Sequence, residues 1–235
     1  MSDHMKRIAI PRSWPLKKKE HVFTTKQSAG AHSLETSMPV ITVLRDILGI
    51  CDTAKEAKRI IGNRDVLVDG KPVKNPKAPV GLMDVLAIPK MDKAYRVLLT
   101  PRGKLTLVDI DKAEAGWKLC RIEDKTLVKG GKIQLNLHDG RNILLDKNQY
   151  KTGDVLKVEF EGQKISECYP LESGAAALVS AGNHAGQVET VEEYEVIKGP
   201  AENVVKFKSG AETVKSNVFV IGAGSPAIRM PEAEN

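Results

Sequence analysis

The chain has 235 residues and a mass of 25.7 kDa, which suits one or two domains, or three if each is small. Hydrophobic residues make up 41% and charged residues 28%, proportions that exclude wholesale disorder and collagen-like sequence. Aromatic residues make up only 4%, so the cores must be aliphatic, and the formal charge of +6 favours a polyanionic partner.

Residues 1–38 predict a basic, extended arm, because seven Lys and Arg residues face only three acidic ones and prolines interrupt any periodicity. Basic side chains interleaved with Trp14, His21 and Phe23 suit RNA, since cations neutralise phosphates and rings stack on unpaired bases. The alternative is a flexible solubilising terminus, which would have no need of Trp14. The candidate RNA-binding residues of the arm are Lys6, Arg7, Arg12, Trp14, Lys17, Lys18, Lys19 and Lys26.

Residues 39–90 predict a helix–helix–hairpin module. Apolar residues from Val40 to Leu48 recur at helical spacing, with Pro39 suited to the first helical position and Gly49 to the C-terminal cap. The segment beginning Thr53-Ala-Lys-Glu56 has the spacing of a capping box, and this second helix runs to Gly62. Asp69-Gly70 between two short apolar runs predicts a hairpin turn.

The sequence from Thr53 to Val73 resembles the S4-type RNA-binding domain, which grips structured RNA with its helix pair and the following hairpin. The resemblance implies RNA contacts by six basic residues, and one departure is Asp69, where many members have Asn. The alternative is that these lysines and arginines form an ordinary solvated helix face. The six residues are Arg45, Lys55, Lys58, Arg59, Arg64 and Lys71.

Residues 91–170 predict an all-β central domain, either a small barrel or a sandwich, because short runs of branched residues alternate with glycine-containing turns. Ile133, Leu135 and Leu137 alternate with polar residues, which indicates one buried face. The predicted strands are 96–99, 104–108, 132–137, 142–145 and 155–160.

Residues 171–222 contain a stretch, Ala177 to Val191, that resembles the KOW motif and implies an SH3-like barrel, followed by a tail at 223–235. In its loop, Gly182 and Gly186 suit positive φ, and Asn183 and His184 are possible RNA contacts. Residues 171–235 have a net charge of −4, so a structural or protein-facing role is equally open for this barrel.

The ordered parts, from the Arg12-Ser-Trp-Pro segment to Ser216–Gly222, resemble the archaeal–eukaryotic S4e family of small-subunit ribosomal proteins over essentially the whole chain. The resemblance implies an α+β multidomain protein that binds small-subunit ribosomal RNA beside neighbouring ribosomal proteins in the cytoplasm, acting in subunit assembly and translation. The short ending at residue 235 favours the archaeal type.

No motif for catalysis or cofactor binding occurs: phosphate loop, nucleophile elbow, zinc pair and dinucleotide fingerprint are all missing. Cys51, Cys120 and Cys168 are too far apart for a zinc ribbon or a disulfide scaffold, and no apolar run reaches the roughly 20 residues of a membrane span. We therefore expect no enzyme activity, metal, cofactor, small-molecule substrate or membrane partner. The open alternatives are a transcription-elongation or RNA-chaperone factor, suggested by the KOW motif, and an RNA-modifying enzyme.

Overall fold

The computed structural model describes residues 4–231, and contacts within the chain divide it into two compact units. Unit 1 comprises the residues up to Leu98 together with Lys104–Gly116. Unit 2 comprises Leu99–Gly103 together with the residues from Trp117 onward.

Unit 1 combines short strands with two helical segments and two short 3-10 turns, at Arg7–Ala9 and Pro89–Met91. The strands form a two-stranded sheet β1-β2, a pair β3-β6, and a five-stranded sheet in the order β5-β4-β7-β8-β9. The strands are β1 (His4–Lys6), β2 (Phe23–Thr25), β3 (Ser37–Pro39), β4 (Leu67–Val68), β5 (Lys71–Pro72), β6 (Pro79–Gly81), β7 (Val85–Ile88), β8 (Lys93–Leu99) and β9 (Leu105–Ile110).

The first helical segment, α1 (Val40–Thr42), continues as a π-helical turn at Val43–Ile47. Its buried residues include Val40, Val43 and Leu44, so the predicted apolar face is confirmed. Pro39 was expected to be the first helical residue, but it ends β3 and the helix begins one residue later.

The second helix, α2 (Ala54–Gly62), begins at the predicted capping box. The Thr53 hydroxyl accepts a hydrogen bond from the Glu56 amide at 3.2 Å, while the Glu56 carboxylate accepts one from the Thr53 amide at 3.3 Å. These bonds and a third from the Asp52 amide hold the pKa of Glu56 below its usual value. Ala57 and Ile61 are buried, which leaves the opposite side of α2 in water.

The segment before α1 is folded rather than an extended arm. β1 pairs antiparallel with β2, and the Trp14 ring is 1% exposed with its indole Nε1 donating to the Ser37 carbonyl at 2.8 Å. Arg7 is 3% exposed, and its guanidinium donates to the Lys17 carbonyl and to Glu20. The expectation of an extended arm is therefore wrong, because Trp14 supplies a large apolar side chain that unit 1 buries.

Unit 2 contains two antiparallel five-stranded sheets, a central one in the order β12-β11-β10-β13-β14 and a C-terminal one in the order β18-β17-β16-β15-β19. The strands are β10 (Trp117–Leu127), β11 (Ile133–Leu137), β12 (Asn142–Leu145), β13 (Val155–Glu159), β14 (Ile165–Tyr169), β15 (Ala176–Val179), β16 (Val188–Glu195), β17 (Val204–Phe207), β18 (Glu212–Val214) and β19 (Val218–Gly222).

The central sheet differs from the predicted one because two predicted strands lie outside it and two of its strands, β10 and β14, were not predicted. The first two predicted strands, β8 and β9, lie in the five-stranded sheet of unit 1 rather than in the central sheet. The strand β10, which occupies the middle of the central sheet, was not predicted. A bulge between Ile122 and Asp124 shifts its register, and Lys118 occupies a fully buried position, so its alternation of apolar and polar residues is broken.

Candidate nucleic-acid interface

The exposed side of α2 carries three cations in one row. Lys55, Lys58 and Arg59 stand three and four residues apart, which places them on the same face of the helix. All three are exposed, on the opposite side from the buried Ala57 and Ile61. The capping box occupies the Glu56 amide at the start of this helix, and the three side chains supply the positive charge along α2.

The hairpin after α2 adds two more exposed cations, Arg64 and Lys71. Asp69 and Gly70 have φ values of 50° and 74°, so the predicted hairpin turn between β4 and β5 is confirmed. Arg64 has a φ of 63°, a left-handed conformation that is unusual for a residue with a Cβ atom.

Asp69 stands where many S4-type domains have Asn, but its carboxylate does not lie at the cationic surface. It is 7% exposed, and its Oδ1 accepts a hydrogen bond from the Val85 amide at 3.0 Å. The charge of Asp69 therefore acts inside unit 1. Burial, the largest effect, lowers the pKa of Arg96, while the negative charges of Glu114 and Asp69 oppose that shift.

Arg45 is less available than the cations of α2. Its guanidinium donates to the adjacent Asp46 carboxylate at 2.7 Å, and that hydrogen bond raises the pKa of Arg45. With a side chain 23% exposed, Arg45 lies at the margin of the surface.

The segment before α1 contributes cations to the surface of unit 1, although two predicted residues do not reach it. Lys6, Arg12, Lys17, Lys18 and Lys19 are exposed, and Lys26 is half-buried. Trp14 and Arg7 are buried, so the prediction that they contact RNA is wrong for both: one fills the core and the other ties the segment together.

An exposed aromatic ring takes the place that was assigned to Trp14. Phe23 is 59% exposed and lies directly opposite Lys6 in the β1–β2 pairing, so the ring and the ammonium share one face. The His4 ring lies 6.2 Å from the Phe23 ring. This arrangement offers a stacking surface beside a cation. The sequence already contained the signal, but it did not reveal which of the two rings would be buried.

The predicted loop of the KOW-like stretch is only partly accessible. Gly182 and Gly186 both have positive φ, as expected, and Asn183 and His184 are exposed. Gly186 is buried, and a Cβ atom there would lie 1.8 Å from the Thr100 carbonyl oxygen. Gly186 is therefore required for close backbone packing, and the prediction that it reaches RNA is wrong.

Several cations of unit 2 form ion pairs with acidic side chains of the same unit. Lys118 Nζ lies 2.6 Å from Asp139 Oδ2, with both side chains 1% exposed or less. Arg141 Nε lies 3.1 Å from the same oxygen. Burial opposes ionisation of Asp139, but the Lys118 ammonium outweighs it and holds the pKa of Asp139 below its usual value.

The same pocket holds atoms that resemble a metal site. Cys120 Sγ, a ring nitrogen of His138 and a carboxylate oxygen of Asp139 lie within 4.8 Å of one another. The Asp139 carboxylate already faces two cations, and His138 Nδ1 accepts a hydrogen bond from the Arg121 amide at 3.3 Å. A divalent cation would have to displace or oppose those charges, so we interpret the cluster as a buried ion network.

Other cations of unit 2 are engaged on its surface. Arg121 pairs with Glu123, Lys157 lies 2.8 Å from Glu167, and Lys206 lies 3.0 Å from Glu195. These pairs reduce the attraction of unit 2 for a polyanion.

Among the helices within residues 4–231, none is both long and apolar enough to cross a membrane.

Comparison with known families matches three family models in chain order. The RS4NT domain matches residues 1–35, the S4 domain matches residues 38–86, and Ribosomal family S4e matches residues 91–165.

Similar proteins match over nearly their whole length. The chain is 46% identical over 230 residues to a small ribosomal subunit protein eS4 of Methanosphaera stadtmanae, covering 97% of this chain and 95% of the relative. It is 44% identical over 232 residues to the eS4 protein of Methanothermobacter thermautotrophicus, covering 97% and 96%.

A solved structure, the 30S ribosomal protein S4e of Thermoplasma acidophilum, is 38% identical and matches with a TM-score of 0.71. The match covers 80% of this chain and 96% of that one. High identity over nearly full-length relatives, with all three family models in order, carries the assignment: the chain belongs to the S4e family of small-subunit ribosomal proteins.

Proposed function

We propose that this protein is a structural constituent of the small ribosomal subunit in the cytoplasm, where it binds ribosomal RNA during subunit assembly and translation. The observation that carries the proposal is the row of Lys55, Lys58 and Arg59 on the exposed side of α2, within the S4 domain match. The role is binding and positioning of RNA rather than catalysis.

The mechanism is electrostatic. Ten predicted residues are exposed cations, and each that meets a phosphate releases counterions, which favours binding at low salt. These cations lie at positions fixed by folded elements of unit 1, so the shape of the surface selects a site on folded RNA. The ten are Lys6, Arg12, Lys17, Lys18, Lys19, Lys55, Lys58, Arg59, Arg64 and Lys71.

The acidic C-terminal sheet has a different part in this proposal. Its strand β16 carries Glu189, Glu192, Glu193 and Glu195, and Lys206 offsets only part of that charge. An acidic face repels phosphates, so we assign it to neighbouring ribosomal proteins. Asn183 and His184 in the KOW-like loop remain the possible RNA contacts of this sheet.

Co-sedimentation on a sucrose gradient tests the function. The protein, carrying a small tag at its chromosomal locus, is expected at one copy per small subunit and to remain there after a moderate salt wash. Residence with RNA polymerase, or in the unbound fraction, would contradict the proposal. A nuclease-treated lysate is the control, because release from the fast-sedimenting fraction on digestion shows that RNA is the tether.

A salt titration tests the mechanism. If about eight phosphates are neutralised, the logarithm of affinity for small-subunit ribosomal RNA should fall with the logarithm of salt concentration at a slope of roughly −6 to −7. A slope near −1 in a filter-binding assay would remove the electrostatic mechanism.

A further inference from the structure

Charge in unit 2 is unevenly distributed. The unit holds sixteen Lys and Arg residues against seventeen Asp and Glu, so it is close to neutral as a whole. The stretches 125–133 and 144–151 of its central sheet nevertheless hold five lysines against a single acid, Asp146. Basic charge is therefore concentrated in two short stretches of an otherwise balanced unit.

Strand register brings these stretches to one end of the sheet. Leu127 at the end of β10 pairs with Ile133 at the start of β11, and Ile133 pairs with Leu145 at the end of β12. The turn after β10 and the loop after β12 must therefore leave the sheet at the same end of the strands. We call this region the basic tip and define it as Leu127, Lys129, Gly130, Gly131, Lys132 and Lys147.

The turn in the basic tip has backbone suited to close approach. Gly130 and Gly131 have φ values of 89° and 76°, and neither would bring a Cβ atom within 4 Å of another group. The Val128 amide donates to the Lys132 carbonyl at 2.9 Å, which closes the turn. Open space around two glycines lets a ligand reach the main chain, as phosphates do at glycine-containing loops.

The loop after β12 is held by a lysine of β10. Lys125 Nζ donates to Asn148 Oδ1 at 2.9 Å and also to the Tyr150 carbonyl. This anchor fixes the chain immediately after Lys147. Lys132 Nζ lies 3.5 Å from Asp146, but both side chains are more than half exposed, so that pair is weak and open to exchange.

We propose that the basic tip is a second RNA-backbone contact, in unit 2, additional to the cationic surface of unit 1. The inference rests on the proposed function, since it takes ribosomal RNA as the partner. The lysines meet phosphates on either side of the glycine turn, and Leu127, which is 75% exposed, packs against a sugar or the face of a base.

RNA fits the basic tip better than a protein does. Protein interfaces place an apolar cluster at their centre and are depleted in lysine. The basic tip has one exposed leucine among three lysines, a composition typical of a phosphate-binding surface.

The test compares two triple variants of the full chain by filter binding to small-subunit ribosomal RNA transcribed in vitro. The first variant combines Lys129→Ala, Lys132→Ala and Lys147→Ala. The control combines Lys164→Ala, Lys198→Ala and Lys208→Ala, which removes the same charge from exposed lysines elsewhere in unit 2. We expect the first variant to bind roughly 10- to 50-fold more weakly near 0.15 M salt and to lower the salt slope by about 2 to 3. The control should change affinity less than threefold.

Lysine footprinting of the wild-type protein gives a second measurement that requires no variant. Acetylation of Lys129, Lys132 and Lys147 should be suppressed by the RNA transcript, while Lys198 stays reactive. Equal affinities of the two triple variants, with unprotected lysines in the basic tip, would overturn the inference.

Two further outcomes separate the inference from the proposed function. Protection of the basic tip in assembled subunits but not by RNA alone would assign it to a protein neighbour and also overturn the inference. Failure of the wild-type protein to bind RNA at all would remove the proposed function itself, and the inference with it.

Discussion

The two units use their cations in different ways. Unit 1 has a net charge of +7 and presents Lys55, Lys58 and Arg59 to water, whereas unit 2 has a net charge of −1 and buries Lys118 against Asp139. A count of basic residues alone therefore does not locate an RNA-binding surface. What matters is whether each cation already has an acidic partner within the fold.

The largest expected effect comes from breaking the buried pair of unit 2. Asp139→Asn leaves the Lys118 ammonium buried without its counter-charge, and we expect the free energy of unfolding to fall by about 3–5 kcal/mol. The matched control is Asp92→Asn, because Asp92 also lies 2.6 Å from a lysine, Lys112, but both side chains are at least 70% exposed. That control should change stability by less than about 1 kcal/mol in urea denaturation.

The pH dependence of this effect has a definite sign. Because the folded-state pKa of Asp139 is lowered, its ionisation contributes stability above the unfolded-state pKa, and that contribution is lost as pH falls through the lower folded value. The gap between the wild type and Asp139→Asn should therefore be full at neutral pH and shrink only in strong acid. A gap that stayed constant down to pH 2 would contradict an ionic origin.

A second large effect tests whether the segment before α1 belongs to the core of unit 1. Trp14→Ala removes a buried ring and the hydrogen bond to Ser37, so we expect a loss of about 3–5 kcal/mol. Phe23→Ala is the control in the same segment, and its exposed ring should cost little stability. If both variants unfold at the same denaturant concentration as the wild type, the segment does not contribute to the core of unit 1.

Two triple variants that remove equal charge compare the cations exposed on α2 with cations paired within unit 2. Lys55→Ala, Lys58→Ala and Arg59→Ala together should weaken binding to small-subunit ribosomal RNA roughly 10- to 50-fold in a filter-binding titration. The variant Arg121→Ala, Lys157→Ala and Lys206→Ala removes three cations paired within unit 2 and should weaken binding far less. Equal losses would mean that pairing within the fold is irrelevant to RNA binding.

The smallest effect separates backbone strain from charge at Arg64. Glycine accepts the φ of 63° without a Cβ penalty, so Arg64→Gly should raise the free energy of unfolding by up to about 1 kcal/mol while lowering RNA affinity a few-fold. Arg59→Gly removes the same charge from inside α2, where glycine should cost about 1 kcal/mol. Opposite changes in melting temperature with similar losses of affinity are the expected result.

Local patterns predicted the elements whose causes are local. The capping box of Thr53 and Glu56, the apolar face of the first helical segment and the Asp69-Gly70 turn are encoded within a few residues, and all three are present. Alternation located β11 closely, and a run of branched residues located β12. These signals depend on helical or strand periodicity and on turn chemistry, which a single sequence displays.

Pairing and burial depend on distant residues, and there the sequence was insufficient. Runs of branched residues identify β8 and β9 as strands but do not show that they join the sheet of the preceding hairpin. Trp14 and Phe23 are both aromatic residues of a basic segment, and the sequence does not distinguish them. Only the fold shows that Trp14 is buried, with its indole Nε1 donating to the Leu34 and Ser37 carbonyls. The run Lys129-Gly-Gly-Lys132 is visible in the sequence, but only the strand register shows that it lies at the same end of the sheet as Lys147.

The inward orientation of Asp69 also has an evolutionary consequence. An asparagine there can accept the same hydrogen bond from the Val85 amide, so the turn itself tolerates either residue. The aspartate, together with Glu114, also supports a positive charge on the buried Arg96, which an asparagine cannot do. In a relative that carries asparagine at this turn, the charge of the buried arginine should therefore depend more strongly on an acid at the position of Glu114.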